Sequence, residues 1–210
     1  LANTELTQSG TYDAVISNVA GRVTSRGARL TVTQAVGISQ QPRSLTVKRD
    51  ESATFSVVAT GSEPVTYQWL FNATPIPGAT SATFNLSNAT LAHAGSYAVD
   101  VSNPGGRLRS ADALLTVVVP PTITRAPQSQ TVLAGDSAEL SVTVSGTEPL
   151  TYQWQFNGVD LTGATSPTLA ISSVRPEQAG SYQIQVRNAA GVATSSPATL
   201  AVSAPVQIVD

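Results

Sequence analysis

Hydrophobic and polar residues alternate along much of the chain with a period of two. In LSVTVS, residues 140–145, Leu and Val alternate with Ser and Thr, and YAVDVS, residues 97–102, has a similar pattern. This period is typical of strands that have one face on a core and the other in water. Gly, Pro and Asn separate the runs, and no amphipathic helix of useful length is apparent. Short strands at regular spacing predict an all-β sandwich.

The pattern is repeated after 85 residues. GSEPVTYQW at Gly61–Trp69 matches GTEPLTYQW at Gly146–Trp154, and AGSYAVDVSN at Ala94–Asn103 matches AGSYQIQVRN at Ala179–Asn188. SGTYDAVISN, residues 9–18, continues the same register upstream. A repeat of this length is too long for a solenoid unit and suits a small independent domain. The sequence therefore predicts two complete domains and part of a third.

We predict four segments. Residues 1–34 form the C-terminal part of a preceding domain, with the end of its strand E and strands F and G. Residues 35–118 and 119–203 form complete domains, and residues 204–210 begin a following domain or linker. A lone hairpin is marginal in water, so we interpret the first segment as a truncated domain. Completion by strands of another chain is the alternative.

One turn, Asn-x-x-Gly, follows the alternating strand in all three copies, at Asn18–Gly21, Asn103–Gly106 and Asn188–Gly191. Asn opens such turns by bonding to its own backbone, and Gly accepts the positive φ that ends them. We interpret these turns as hairpins between the last two strands of each domain.

Together these motifs resemble the immunoglobulin superfamily. A Trp in an early strand is followed by Gly-x-Tyr-x-apolar and then by Asn-x-x-Gly. The pattern is most similar to cysteine-free, I-set-like domains that occur in tandem in large bacterial surface and secreted proteins. The resemblance covers both complete repeats and the N-terminal part-repeat, and it implies tandem immunoglobulin-like β-sandwiches. Such motifs are specific for a fold and carry little information about function.

The resemblance also implies a structural core. A strand-C tryptophan, a tyrosine-corner residue and two bridge positions recur in each repeat, and both bridge positions are aliphatic where the family has cysteines. The implied core residues are Trp69, Tyr97, Val57 and Val99 in one repeat and Trp154, Tyr182, Val142 and Ile184 in the next. A Trp buries ~150–250 Å², or roughly 4–6 kcal/mol gross, against about 2–5 kcal/mol for a native disulfide. We therefore expect packing around the indole to replace the bridge.

A second departure from the family concerns the tyrosine corner. The acidic residue that usually stands two positions before the Gly of the Tyr motif is Gln8, His93 or Gln178 in the three copies. In the family the carboxylate often anchors this turn. With the carboxylate replaced, the sequence does not identify the group that anchors it here. Tyr12 corresponds to the corner tyrosine in the part-repeat.

Composition narrows the possible partners. The net charge is −2, and ten of the eleven Lys and Arg residues are scattered arginines, so we expect no nucleic-acid partner. No run of eighteen apolar residues occurs, so we expect no membrane insertion. With no Cys, the chain can form neither a disulfide nor a thiolate metal site.

Few residues could act in catalysis or bind a metal ion. His93, the only histidine, could act as a base or metal ligand, but its equivalent Gln178 can do neither, so we interpret it as a solvent-facing turn residue. Asp50, Glu51 and Asp136 could bind Ca²⁺, but the chain has no EF-hand loop or dense acidic cluster, and solvated turn carboxylates are the preferred interpretation. We expect no catalytic residue, cofactor or metal, and hence no enzyme.

The strict repeat, the short connections and the lack of catalytic residues favour a structural function. We predict a non-catalytic tandem segment of a large extracellular or cell-surface bacterial protein, acting as a spacer, adhesive stalk or surface-fibre component. The alternative is a carbohydrate- or protein-binding accessory module of a secreted polysaccharide-degrading enzyme. Expected partners are neighbouring immunoglobulin-like domains of the same or adjacent chains, together with a surface protein or glycan.

Overall fold

The computed structural model describes residues 4–204, in which the regular structure consists of β-strands and three short 3-10 turns. The described chain divides into two compact units, residues 4–45 with 52–116 and residues 46–51 with 117–204. Except for residue 204, the predicted start of a following domain lies outside the described residues.

The N-terminal portion forms strand pairs without an opposing sheet. Its strands are β1 (Gly10–Tyr12), β2 (Val15–Asn18), β3 (Gly21–Thr24) and β4 (Ala28–Leu30). Strand β2 pairs with β3 and β1 pairs with β4, both antiparallel. Tyr12 is 46% exposed and Ile16 is 72% exposed, because the strands that would cover them in a complete sandwich are absent from the described chain. The prediction of a partial domain here is confirmed.

The first complete sandwich contains ten strands. They are β5 (Gly37–Gln40), β6 (Leu45–Lys48), β7 (Ala53–Ser56), β8 (Val58–Thr60), β9 (Thr66–Phe71), β10 (Thr74–Pro75), β11 (Thr83–Leu86), β12 (Gly95–Asn103), β13 (Gly106–Arg109) and β14 (Ala113–Val118). The larger sheet has the order β10-β9-β12-β14-β6, with β13 also paired to β12. The pairs β11-β7 and β5-β8 form the opposing layer.

The second sandwich repeats this plan with every strand displaced by 85 residues. Its strands are β15 (Thr122–Arg125), β16 (Gln130–Leu133), β17 (Ala138–Ser141), β18 (Thr143–Ser145), β19 (Thr151–Phe156), β20 (Val159–Asp160), β21 (Thr168–Ile171), β22 (Gly180–Asn188), β23 (Gly191–Thr194) and β24 (Ala198–Ser203). Strand β16 runs parallel to β24, and the other pairs are antiparallel. The predicted tandem all-β architecture is confirmed.

The alternating pattern places one set of side chains of each larger sheet on the core. Trp69 lies opposite Val99 in the β9–β12 pair, and Trp154 lies opposite Ile184 in the β19–β22 pair. All four side chains are fully buried. Successive strand residues point to opposite faces, so the period of two selects the core residues directly.

Two details differ from the sequence-based expectation. The last strand of each repeat is divided, because β13 and β14 pair with different parts of β12 and the register shifts by one residue between them. Such a shift is the mark of a β-bulge. In addition, Asp100, which the alternation assigns to the water-facing side, is only 6% exposed. Arg107 and Arg109 pair with its carboxylate there.

Candidate functional site

The two tryptophans lie at the centre of the two sandwiches. Each is 0% exposed. The Trp69 Nε1–H donates to the carbonyl of Ser81, and the Trp154 Nε1–H donates to the carbonyl of Ser166, both at 2.9 Å. A buried indole N–H costs free energy unless it is hydrogen-bonded. These two hydrogen bonds pair the one polar atom of each ring and so avoid that cost.

Aliphatic side chains occupy all four bridge positions. Val57, Val99 and Ile184 are buried, as is Val142, which lies between β17 and β18. In the second sandwich Val142, Trp154 and Ile184 belong to one hydrophobic cluster. The region where the family has a disulfide is therefore filled by packed hydrocarbon.

The corner tyrosines share one hydrogen bond. The hydroxyls of Tyr12, Tyr97 and Tyr182 donate to the carbonyl four residues earlier, at 2.7, 3.0 and 2.9 Å. Burial raises the pKa of Tyr97 and of Tyr182 above the ordinary value of a phenol. The hydroxyls of Tyr97 and Tyr182 therefore stay protonated, and able to donate this hydrogen bond, to a higher pH than an exposed phenol would.

A 3-10 turn precedes each corner tyrosine, and the residue that replaces the family's acid supports it. The Gln8 and Gln178 Oε1 atoms accept the backbone N–H three residues earlier, at 2.8 and 2.9 Å. In the first sandwich His93 Nδ1 accepts the N–H of Thr90 at 3.0 Å. His93 lies in this turn, as the sequence predicts, but it is half-buried and caps the turn instead of only facing solvent.

Serine residues in the divided last strand have a role that the sequence did not reveal. Ser110 and Ser195 are buried, and their hydroxyls accept the N–H groups of Val99 and Ile184 at 3.0 and 3.1 Å. Ser25 makes the corresponding bond with Ala14 in the N-terminal portion. Ser recurs at this position every 85 residues, and that recurrence was the available signal.

The most elaborate polar arrangement fixes the residue that leads into each sandwich. The Val119 N–H donates to Thr147 Oγ1 at 2.8 Å. The Val119 carbonyl accepts the Thr147 N–H at 3.0 Å and the Asn188 side-chain amide at 2.8 Å. Asn188 also donates to the Thr147 carbonyl at 2.8 Å. We call Val119, Thr147 and Asn188 the linker anchor of the second sandwich.

The first sandwich has the same linker anchor, made by Gln34, Ser62 and Asn103. The Gln34 N–H donates to Ser62 Oγ at 2.9 Å, and its carbonyl accepts the Ser62 N–H at 3.1 Å. The Asn103 amide donates to the carbonyls of Gln34 and Ser62 at 2.8 and 2.9 Å. Each anchor lies within one compact unit. The Asn that opens the predicted turn therefore also holds the preceding connection.

Glycine permits the close approach of the connection at both anchors. A Cβ added at Gly61 (φ +129°) lies 3.0 Å from Val36 Cα, and one added at Gly146 (φ +150°) lies 3.0 Å from Pro121 Cα. Both positions have positive φ, which favours glycine. A larger residue at either position would push the connection away from its sandwich.

The remaining candidates form turns or surface pairs. The carboxylates of Glu63 and Glu148 accept the N–H groups of Val65 and Leu150 at 2.8 Å, as caps of the loop. Asp50, Glu51 and Asp136 are exposed in turns. Within residues 4–204, no group of three or more His, Cys, Asp or Glu side chains is placed to hold a metal ion.

One charged cluster is specific to the first sandwich. The Asp100 carboxylate accepts Arg109 Nε at 2.7 Å and Arg109 Nη2 at 3.0 Å, and it also pairs with Arg107. Hydrogen bonding from Arg109 lowers the pKa of Asp100, and Arg107 adds to this against the opposing effect of burial. The carboxylate is thus held ionised beneath two guanidinium groups.

In the described part of the chain, no helix has the length and apolar character needed to cross a membrane.

The comparisons with known proteins agree with this geometry. A family model described as "Immunoglobulin domain" matches residues 37–103 and 120–188. The chain is 31% identical to the protein sax-3 of Caenorhabditis elegans over 90% of its own length, and it spans 16% of that protein. It is 28% identical to the basement membrane-specific heparan sulfate proteoglycan core protein of Mus musculus over 92% of its length, and it spans 6% of that relative.

Among solved structures, the I-band fragment I67-I69 from titin superposes with a TM-score of 0.80 at 22% identity. The superposition covers 95% of this chain and 76% of the titin fragment. At 22% identity, this superposition shows a shared fold of consecutive domains and no more.

Proposed function

Because the chain belongs to the immunoglobulin domain family, with two domains of that family in tandem, we propose that it is a non-catalytic spacer segment of a larger protein. In this function the sandwiches set a distance between other parts of the parent protein. The neighbouring domains of the same or an adjacent chain are its main partners.

The two linker anchors are the observation that carries this proposal. Both backbone groups of Gln34 are hydrogen-bonded to the sandwich that follows it. Both backbone groups of Val119, the first residue of the second sandwich, are hydrogen-bonded to later residues of that sandwich. A connection that is bonded in this way has fewer free dihedral angles than a solvated linker of the same length. A spacer benefits from that restriction, because its reach then varies little.

We propose domain boundaries at residues 35–118 and 119–203, with residues 1–34 as the end of a preceding domain. The family match within both complete segments supports this division. We further propose an extracellular or cell-surface location. The mouse relative, whose name places it in the basement membrane, supports it.

The bacterial origin and the cysteine-free subtype stay predictions of the sequence pattern. The relatives named above are animal proteins, from a nematode and a mouse. The sequence of the parent gene and its genomic neighbours tests the origin directly.

Spin-label distance measurements on the full chain test the spacer. The chain has no Cys, so labels can be attached at Thr83→Cys and Thr168→Cys, two exposed positions on equivalent strands. We expect a narrow distribution of label distances. The double variant Thr147→Val/Asn188→Ala removes both side-chain hydrogen bonds to Val119 and leaves it only the bond from the Thr147 backbone N–H, so it should broaden the distribution.

The substitution Thr199→Val, at an exposed position of β24, is the matched control and should leave the distribution unchanged. A distribution that is already broad before substitution would refute the spacer function, because reach would then not be controlled. A distribution that stays narrow in the double variant would refute the role of the anchor.

A further inference from the structure

Strand β21 forms an open edge of the second sandwich. It pairs with β17 on one side, and the described chain places no paired strand on its other side. Edge strands are commonly protected from further pairing by charged residues, by Pro or by a β-bulge. Strand β21 has the sequence Thr-Leu-Ala-Ile and a continuous register with β17, so it carries none of these devices. This edge can therefore receive another strand.

The ladder register determines which backbone groups face the open side. The Val142 N–H donates to the Pro167 carbonyl at 3.1 Å, so these residues extend the β17–β21 ladder at a hydrogen-bonded position. Hydrogen-bonded and non-hydrogen-bonded pairs alternate along an antiparallel ladder. The backbone N–H and C=O groups of Thr168 and Ala170 therefore point away from β17, toward the open side.

An apolar groove, which we call the β21 groove, lies beside this edge. Its volume is about 350 Å³, none of its lining side chains is charged, and the lining includes Leu161, Ala164, Leu169, Ile171 and Tyr182. The four aliphatic side chains pack against the core but are only half-buried. Residues that lie opposite each other in a ladder point to the same face. A strand added to β21 would therefore direct alternate side chains into the groove.

Two exchanges of aromatic for aliphatic residues account for the groove. In the first sandwich Phe55 and Phe84 pack on Tyr97, with ring centroids 4.7 and 5.8 Å from that of the tyrosine. Their equivalents in the second sandwich are Leu140 and Leu169, which fill less space than the rings. The corner tyrosine of the second sandwich is therefore left with open space beside it.

The amino-acid pattern of β21 meets the requirements of its own edge. Leu169 and Ile171 are aliphatic and two residues apart, with the small residue Ala170 between them. In an antiparallel pair of copies with a two-fold axis at Leu169, Thr168 of each copy lies opposite Ala170 of the other. Each such pair exchanges both of its N–H···O bonds through the groups that face the open side. The interface is self-complementary, as two-fold symmetry demands.

We propose that two copies of this chain associate side by side through β21, in an antiparallel pair centred on Leu169. The Leu169 side chain of each copy then lies against the β21 groove of the other, and the two β17–β21 sheets join into one continuous sheet. The pairing gives a surface to the adjacent-chain partner of the proposed function, and it rests on that function only in this respect. The spacer test measures distances within one chain, so the two proposals can fail separately.

Sedimentation velocity of the full chain over a range of concentrations tests the pairing. An edge of four residues is too short to bury the roughly 1,000 Å² of a stable interface. We therefore expect a weak dimer, with a dissociation constant on the order of 0.1 mM. The variant Thr168→Lys/Ala170→Lys places like charges opposite each other and should weaken the dimer at least about tenfold. Both side chains are exposed, so the sandwich keeps its fold.

A second variant, Thr168→Glu/Ala170→Lys, checks the register. It differs from the first variant only at residue 168, and in the antiparallel pair it places opposite charges opposite each other. It should associate at least as tightly as the unsubstituted chain. Thermal melting of both variants verifies that the second sandwich remains folded.

The matched control is Thr83→Lys/Asn85→Lys, at the equivalent positions of β11 in the first sandwich. It should leave the dimer unchanged, because Phe84 fills the corresponding space there by packing on Trp69 and Tyr97.

Three results would overturn the proposal. A chain that stays monomeric up to about 1 mM would show that the edge receives a strand of a different protein or none. Equal weakening by the two β21 variants would exclude the antiparallel register. Equal weakening by the β11 control would place the interface on another edge.

Discussion

At the scale of single residues, side chains replace backbone hydrogen bonds where the last strand of each repeat is divided. Ser110 and Ser195 accept N–H groups of β12 and β22 at buried positions. An unpaired buried N–H costs about 1–3 kcal/mol, so a small hydroxyl at the bulge has a definite structural role. Asp100 is also a polar residue with a structural role. It is buried, although the alternation assigns its side chain to the face in water.

The depressed pKa of Asp100 predicts a pH dependence of the first sandwich. The folded-state pKa is lowered by Arg109 and Arg107, so the contribution to stability is present above the unfolded value of about 3.9. It is lost as the pH falls through the lower, folded value. At neutral pH, Asp100→Asn should destabilise the sandwich by about 1–2 kcal/mol, after allowance for the exposed arginines.

Hydrogen exchange at the amides of β12 measures this effect, with β22 as the internal reference. The difference in protection between the unsubstituted protein and the Asp100→Asn variant should be constant near neutral pH. It should begin to shrink below about pH 4, where the carboxyl group of the unfolded chain takes up a proton, and should vanish once the pH has fallen through the lower pKa of the folded state. A difference that grows on acidification would contradict the assignment.

The residues of the core could be predicted from the period of two and from the family resemblance, whereas their polar partners could not. Val99 is buried as the alternation places it, and Trp69 and Ile184 are buried as the resemblance implies. Alternation reports only which face a side chain occupies. It does not identify acceptors such as the Ser81 carbonyl, which lies 12 residues from Trp69 and is brought close by the fold.

At the scale of elements, the 3-10 turn before each corner tyrosine is capped by the same hydrogen bond in all three copies, although the side chain that accepts it differs. Gln8, His93 and Gln178 each place an acceptor atom near the backbone N–H three residues earlier. The family resemblance predicted a carboxylate at this position, and the three replacements left the anchoring group undefined. An amide oxygen and an imidazole nitrogen can both accept one hydrogen bond, which explains why the turn survives the change.

Exchange of these residues between repeats tests the equivalence of the turns. Gln178→Ala removes the acceptor of the Arg175 N–H and should destabilise the second sandwich by about 0.5–2 kcal/mol, the range for loss of a cap. Gln178→His introduces the residue of the first sandwich and should recover most of the loss above neutral pH, where the imidazole is uncharged.

Denaturant unfolding of the two variants, monitored at residues of the second sandwich, separates these outcomes. If Gln178→His is as destabilised as Gln178→Ala, the turns are not interchangeable and the capping interpretation of His93 fails.

At the scale of the whole molecule, the repeat predicted the architecture because each copy must specify the same fold by itself. The tandem sandwiches could be read from TYQW and Gly-x-Tyr recurring in one register. The linker anchors could not, since Asn188 bonds to Val119 across 69 residues and the turn motif explains only half of its hydrogen bonds. Function is less predictable still, because the outer faces of the two sandwiches differ while their cores agree.

If each sandwich is closed around its own indole, loss of one indole should affect one sandwich. Trp154→Ala removes a fully buried side chain and should destabilise the second sandwich by about 3–5 kcal/mol. The first sandwich should keep its own thermal transition. Its core has a separate aromatic cluster, in which Phe55 and Phe84 each contact both Trp69 and Tyr97. Trp69→Ala should produce the reverse pattern in calorimetry. Loss of both transitions in either variant would mean that the sandwiches do not fold as separate units, since a cavity acts mainly on the core that contains it.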